Sequence, residues 1–191
     1  TGLILADHLL RAADRGVRVR LLIDDHYMSE SRDNNIAALD AHPNIEIRFF
    51  NPVRNRRWRM MSMLAEFGRV NHRMHNKLFV MDNAVGIVGG RNIADDYFGV
   101  STDHNYRDLD VMNAGPIVNE ISASFDLFWN SEWALPVAAV VEEQATEQDL
   151  RDLRKRLQEK LAATGYPYPI DEQLAGLRAR LLQIRDNFIW A

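Results

Sequence analysis

The hydrophobic positions of the chain fall into alternating helical and extended blocks. Leu5, Leu9, Ala12 and Ala13 recur at helical spacing across residues 3–15, and Gly16 follows as a helix-stopping residue. Residues 17–23, Val-Arg-Val-Arg-Leu-Leu-Ile, alternate and then run apolar, as a strand entering a covered sheet does. That strand ends at Asp24-Asp25-His26, which reads as the acidic start of a loop before the next helix. The alternative is a lining for the approach to a ligand, because α/β folds place ligands at strand carboxyl ends. Residues 31–41 predict a second helix, and Ile45-Glu-Ile-Arg-Phe-Phe50 an alternating strand closed by Asn51-Pro52. Helices and strands in this order, with short connections, predict an α/β fold with covered sheet faces.

Further along, Leu78-Phe-Val-Met81 and Val85-Gly-Ile-Val88 have the length and residue types of buried strands, joined by the turn pair Asp82-Asn83. Residues 107–112 predict a strand with Asp108 and Asp110 on one face. Pro116 opens a helix to about Trp133, with Ile117, Ile121, Ser124, Phe125, Phe128 and Trp129 as its core stripe. After a connector at 135–141, Thr146-Glu-Gln-Asp149 starts a charged helix with a capping-box-like pattern, running to about Ala163. Gly165-Tyr-Pro-Tyr-Pro169 breaks it, and residues 171–187 predict a second helix with Leu174, Leu177, Leu181 and Ile184 on one side. The expected organisation is a main domain over 1–140 and a helical hairpin over 141–191, packed on the core or serving to dock a further half.

Composition narrows the possibilities. A chain of 191 residues with 47% hydrophobic content can bury a sizeable core. No apolar run is long enough for a membrane-spanning helix. The absence of cysteine excludes disulfides, thiolate metal sites and cysteine nucleophiles. A formal charge of −4 weighs against a duplex nucleic-acid binder. Charge is nevertheless uneven: Arg54, Arg56, Arg57, Arg59, Arg69 and Arg73 stand against the single acid Glu66, interleaved with Trp58, Met60, Met61, Met63, Leu64 and Phe67. This stretch reads either as a helix packed by its Met/Leu face with solvated arginines opposite, or as contact with an anionic membrane surface through Arg54, Arg56, Arg57, Trp58 and Arg59.

The chemistry concentrates at residues 73–92. Alternation along a strand points His75 and Lys77 the same way, placing an imidazole and an ammonium at the mouth of a hairpin. The returning strand ends in Gly89-Gly90-Arg91-Asn92, where backbone N–H groups can converge on a phosphate oxygen and Asn92 adds a donor. No carboxylate cluster has metal-ligand spacing, so neither a metal nor another cofactor is expected.

The spacing of His75, Lys77, Asp82, Gly89, Gly90 and Asn92 resembles the HKD signature of the phospholipase D superfamily. Gly90-Arg-Asn-Ile-Ala-Asp-Asp-Tyr-Phe-Gly99, Tyr106-Arg-Asp-Leu-Asp-Val111 and Phe128-Trp-Asn-Ser-Glu132 look like its bacterial cardiolipin-synthase branch, in the first of that family's two halves. Many members carry Ser at the place of Gly90. The resemblance implies a mixed β-sheet covered by helices on both faces, and a phosphodiester reaction on a phospholipid such as phosphatidylglycerol. It implies His75 as nucleophile, Lys77, Gly89, Gly90 and Asn92 as holders of the phosphate oxygens, and Asp110, or else Asp108, as the acid orienting His75. Asp82 would be supporting. A second HKD motif, from another half or a homodimer, would supply the leaving-group acid, since His8, His26, His42, His72 and His104 lack the context. Family halves begin with a strand before the first helix, so the sequence is expected to be a piece of a longer protein, inactive alone. The expected location is peripheral, on the cytoplasmic side of a bacterial membrane. A nuclease of the same superfamily and a non-catalytic lipid-binding fragment are the alternatives.

Overall fold

In the computed structural model, residues 1–25, 30–53, 73–142, 144–163 and 176 are described. The first layer contains helices α1 (Gly2–Asp14) and α2 (Glu30–Asp40), and strands β1 (Val19–Asp24) and β2 (Ile45–Phe50). The strands run parallel in register from Val19↔Ile45 to Asp24↔Phe50. Gly16 takes φ +91° just past α1, and the Val17 amide returns to the Ala12 carbonyl at 3.1 Å, which closes the helix as the sequence pattern predicts.

Alternation along β2 buries Ile45, Ile47 and Phe49 against Leu10 and Ala13 of α1 and Ala37, Ala38 and Leu39 of α2. Ile47 and Phe49 are wholly excluded from solvent, and burial of each contributes about 1.5–3 kcal/mol. Helix α5 (Glu147–Ala163) adds Leu150, Leu153 and Leu157 to the same core. Its start is the expected capping box: Thr146 Oγ1 donates to Asp149 Oδ2 at 2.6 Å, and the Asp149 amide donates back to Thr146 Oγ1 at 3.3 Å. Arg154 of α5 grips Asp14 of α1 with two bonds of 2.7 Å. With the Asn44 amide donating to His42 Nδ1, the His42 Nε2–H is left to face Asp14 at 3.2 Å. The Arg154 hydrogen bond is the main reason that the Asp14 carboxyl lies low, at about 2.

A second sheet is antiparallel throughout, with order β3 (Lys77–Met81), β4 (Val85–Gly89), β5 (Asp110–Ala114). Helix α3 (Ile117–Trp129) joins the sheets. Its first turns cover Gly86, where a built Cβ would sit 3.3 Å from Ile121 Cδ1. Its last turns reach the first sheet: Phe128 meets Phe50 with ring centroids 5.7 Å apart, and the Arg48 guanidinium lies 4.4 Å over the Trp129 ring. Arg20 of β1 ties to Asp126 at 2.8 Å and lies over Phe125. Strand β6 (Ala134–Pro136) then pairs with β2, followed by the short helix α4 (Val137–Val140).

The architecture is therefore mixed α/β, with helices on both faces of the first sheet. Among the described residues the strands form two three-stranded sheets rather than one continuous sheet, and α3 packs on both. Two boundaries also differ from the sequence pattern. The ladder of β5 starts at Asp110 rather than Arg107, because the Asp108 carbonyl accepts from Arg91 and the Leu109 amide is bonded to the Asp108 side chain. Helix α3 stops at Trp129, where the Ser131 hydroxyl takes the Phe128 carbonyl at 2.8 Å and frees the chain to enter β6. Among the described residues no helix is long and apolar enough to cross a membrane. His26, the helix expected at 171–187 (Gly176 apart) and the basic cluster of Arg54, Arg56, Arg57, Trp58 and Arg59 lie outside the described residues.

Candidate active site

The site lies at the open end of the β3–β4 hairpin. At the closed end, Asp82 and Asn83 both adopt φ +52°, and the Ala84 amide bonds the Met81 carbonyl at 2.9 Å, the left-handed pair that suits a tight strand reversal. Asp82 is five residues from Lys77 along an extended chain, so about 16 Å separates the turn from the open end. Its carboxylate belongs to the turn.

Pairing at the open end is Lys77↔Gly89 and Gly89↔Asp110, so these three residues form one row across the sheet with side chains on one face. Glycine in the middle leaves room for the Asp110 carboxylate to lie over the Gly89 backbone. His75 precedes β3 in extended coil and is exposed. Lys77 Nζ folds back and donates to the His75 carbonyl at 2.7 Å, which ties the ammonium to the backbone of the motif's histidine. The His75 ring has no hydrogen-bond partner among the described residues, and Asn92, two residues past Gly90, is exposed.

Neither Gly89 nor Gly90 has a positive φ; what each needs is space. A Cβ on Gly89 would overlap Asp110 Oδ1 and stand 2.8 Å from the Leu109 carbonyl oxygen. On Gly90 it would meet the Asp108 carboxylate, 2.7 Å from Oδ2. A serine at position 90 cannot coexist with this placement of Asp108.

The two acids thus sit against the glycine pair, and neither bonds the His75 ring. Asp110 Oδ2 accepts from Arg91 Nε at 2.5 Å, and Asp108 Oδ1 accepts from the Leu109 amide at 2.9 Å. Arg91 is the residue that reading the sequence overlooked, since it occupies the unconstrained place in Gly-Gly-x-Asn. Its guanidinium also donates to the Tyr97 and Asp108 carbonyls and lies over the Phe98 ring, so one side chain gathers the 95–110 segment against the end of β4. The charge alternation Asp108-Leu-Asp110 opposite an arginine was the available signal. His104 lies 3.8 Å from Asp96 and edge-on to Tyr106, within that loop.

The entry to the motif is fixed from the first sheet. Asp24, at the end of β1, accepts from Arg73 NH1 at Oδ1 and from the Met74 amide at Oδ2, both at 2.9 Å. Buried Asp25 accepts from the Val53 amide at 2.8 Å. Of the two readings of this acidic pair, a local loop start misses what it does: both acids bond chain that is distant in sequence. Arg73, grouped by sequence with a basic stretch, is nearly buried in an ion pair.

A family profile described as "Cardiolipin synthase, PLD-like domain" matches residues 3–129. The chain is 44% identical over 142 residues to cardiolipin synthase C of Escherichia coli, covering 74% of this chain and 30% of that protein. It is 39% identical over 160 residues to an uncharacterized protein of Helicobacter pylori strain J99, covering 83% of this chain and 32% of the other. With the major cardiolipin synthase of Bacillus subtilis, identity is 32% over 128 residues, or 66% of this chain and 24% of that one. The chain spans a third or less of the length of each of these relatives. The glycine-lined hairpin and both sheets apart from the edge strand β6 fall within the matched span, and the chain belongs to the cardiolipin-synthase family of phospholipase D-like domains.

Proposed function

We propose that this chain carries one half of a phosphatidyl-transfer site, with His75 as nucleophile. The imidazole nitrogen attacks phosphorus of a phospholipid phosphodiester, a P–N bond forms, and the P–O bond to the headgroup alcohol breaks. The departing alkoxide takes a proton from the imidazolium of a second His-x-Lys motif, in another half or a second copy. An acceptor hydroxyl then gives up its proton to that same histidine and displaces His75 from phosphorus. Glycerol or a lipid headgroup as acceptor gives transfer; water gives hydrolysis. Splitting one displacement into two is what a covalent intermediate contributes.

The observation that carries this reading is the row Lys77–Gly89–Asp110, with Lys77 bonded to the His75 carbonyl and the His75 ring exposed and without a hydrogen-bond partner among the described residues. Lys77 and Asn92, with the Gly89–Gly90 amides, would hold the non-bridging oxygens where charge accumulates. Preorganised donors of this kind are typically worth about 3–4 kcal/mol each. Phosphatidylglycerol or a similar lipid is the substrate on the strength of the family, and the basic 54–59 cluster supports peripheral attachment to an anionic, cytoplasmic-side membrane surface. The domain over 1–140 is then the catalytic half, and the segment from 141 leads toward its complement.

The test compares wild type and His75→Ala on phosphatidylglycerol vesicles and on a fluorescent oligonucleotide. With the complementary His-x-Lys half present in every sample, headgroup release from the lipid with wild type and not with His75→Ala is the expected result. Oligonucleotide cleavage without lipid turnover would move the chain to the superfamily's nucleases, and vesicle binding without any turnover would leave a lipid-binding module.

A further inference from the structure

Besides α3, a carboxylate of the first sheet reaches the chain that enters the motif. Asp24 is the last residue of β1 and is paired with Phe50, so its backbone is held in the parallel ladder. Its side chain leaves that ladder and uses both oxygens on consecutive residues of the incoming chain, Oδ1 on the Arg73 guanidinium and Oδ2 on the Met74 amide. Side-chain exposure is 18% for Asp24 and 10% for Arg73, so the pair is sheltered from competing water. Charge-assisted bonds in such a setting are about twice as strong as neutral ones.

Residues 73–76 have no ladder of their own, because β3 begins only at Lys77. His75 therefore sits between two fixed points, the Met74 amide held by Asp24 and Lys77 held by β4. The neighbouring Asp25, with no exposed surface, holds the Val53 amide in the same way, so consecutive carboxylates at the end of β1 fix the chain at Val53 and again at Arg73–Met74.

We infer that Asp24 is the positioning residue for the nucleophile: its two-oxygen grip on Arg73 and Met74 sets where the His75 imidazole stands relative to Lys77 and the Gly89–Gly90 end of β4. This rests on the phosphatidyl-transfer reading for its kinetic consequence, but the placement itself is a property of the fold. A nucleophile displaced by about 1 Å loses about a hundredfold in rate. Asp24→Ala releases both contacts, whereas Asp24→Asn keeps one acceptor oxygen and must give up either Arg73 or the Met74 amide.

The experiment measures kcat and KM on phosphatidylglycerol vesicles, per mole of folded protein and with the complementary His-x-Lys half present, for wild type, Asp24→Ala and Asp24→Asn. In parallel, the imidazole resonances of His75, assigned by their loss in His75→Ala, are recorded for each. The expected result is a kcat lowered about a hundredfold in Asp24→Ala and by an intermediate factor in Asp24→Asn, with KM within about twofold and the His75 resonances displaced in both. If Asp24→Ala does not fold, Asp24→Asn decides alone. Unmoved resonances, or a loss that appears in KM with kcat retained, overturn the inference. A wild type without turnover even with the complementary half, but with His75 resonances displaced by Asp24→Asn, removes the transfer reading and leaves the clasp standing.

Discussion

Gly89→Ala is the substitution whose cost the coordinates set most narrowly. The added methyl would stand 2.8 Å from the Leu109 carbonyl oxygen and 2.9 Å from Asp110 Cα, and would overlap Asp110 Oδ1. Rotating Asp110 away relieves only the last of these and sacrifices its 2.5 Å bond to Arg91, a charge-assisted contact worth about 1.5–3 kcal/mol. The other two are with backbone, so β5 must also move, and forced overpacking costs about 1–3 kcal/mol. Part of this is offset by the lower unfolded-state entropy of alanine, about 0.4–1 kcal/mol. The net is about 2–4 kcal/mol, which for a chain of this size lowers Tm by about 5–15 °C. Gly90→Ala is the internal control. The three atoms nearest its methyl all belong to the Asp108 carboxylate, the end of a side chain that can swing aside for the loss of the Leu109 amide bond, about 1 kcal/mol. Urea and thermal denaturation followed by circular dichroism would rank the two variants. A Gly89→Ala protein melting within about 1 °C of wild type, or one more stable than Gly90→Ala, would refute the packing argument.

Three further outcomes are expected. Because the Asp14 carboxyl titrates at about 2 in the folded chain against 3.8 unperturbed, its pairing contributes stability above about pH 4 that fades as pH falls toward 2; Arg154→Leu should flatten that slope in urea midpoints measured against pH, and an unchanged slope would contradict it. Trp129→Ala removes a side chain only 3% exposed that stacks on Phe125 and carries Arg48 on its face, so a loss of about 3–5 kcal/mol is expected in the same denaturation assay, and a loss under about 1 kcal/mol would contradict it. Replacing Arg54, Arg56, Arg57 and Arg59 by Gln should weaken co-sedimentation with anionic vesicles and reduce its salt dependence, and unaltered, salt-insensitive binding would remove the membrane role.

Local chemistry was legible in the sequence and long-range partnership was not. Gly16 past α1, the Asp82-Asn83 reversal and the Thr146/Asp149 capping box each depend on a few neighbouring residues, and each appears where the pattern placed it. The alternation Ile45-Glu-Ile-Arg-Phe-Phe50 likewise announced which face of β2 would be buried. By contrast, Asp24 finds Arg73 and Met74 about fifty residues away, and Asp110 finds Arg91 across a sheet. Nothing in the local spacing says which of several carboxylates meets which arginine, because that choice is made by strand register and by which side chains are left over once the core is packed. The need for glycine at position 90 belongs to the same class: the motif marks it as a place near phosphate, while the contact that excludes a side chain comes from Asp108. The division into two sheets also escaped the pattern, since one helix packing on both is decided by Ile121 at one end of α3 and Phe128 and Trp129 at the other.

The central claim is that the exposed imidazole of His75 becomes covalently bonded to phosphorus. Incubating the protein with its complementary motif and phosphatidylglycerol labelled at phosphorus, quenching in alkali to preserve P–N bonds, and mapping the modified peptide by mass spectrometry tests it directly. Label on His75, lost in His75→Ala, is the predicted result. Transfer that proceeds with label on another residue, or with none on the protein, would contradict it.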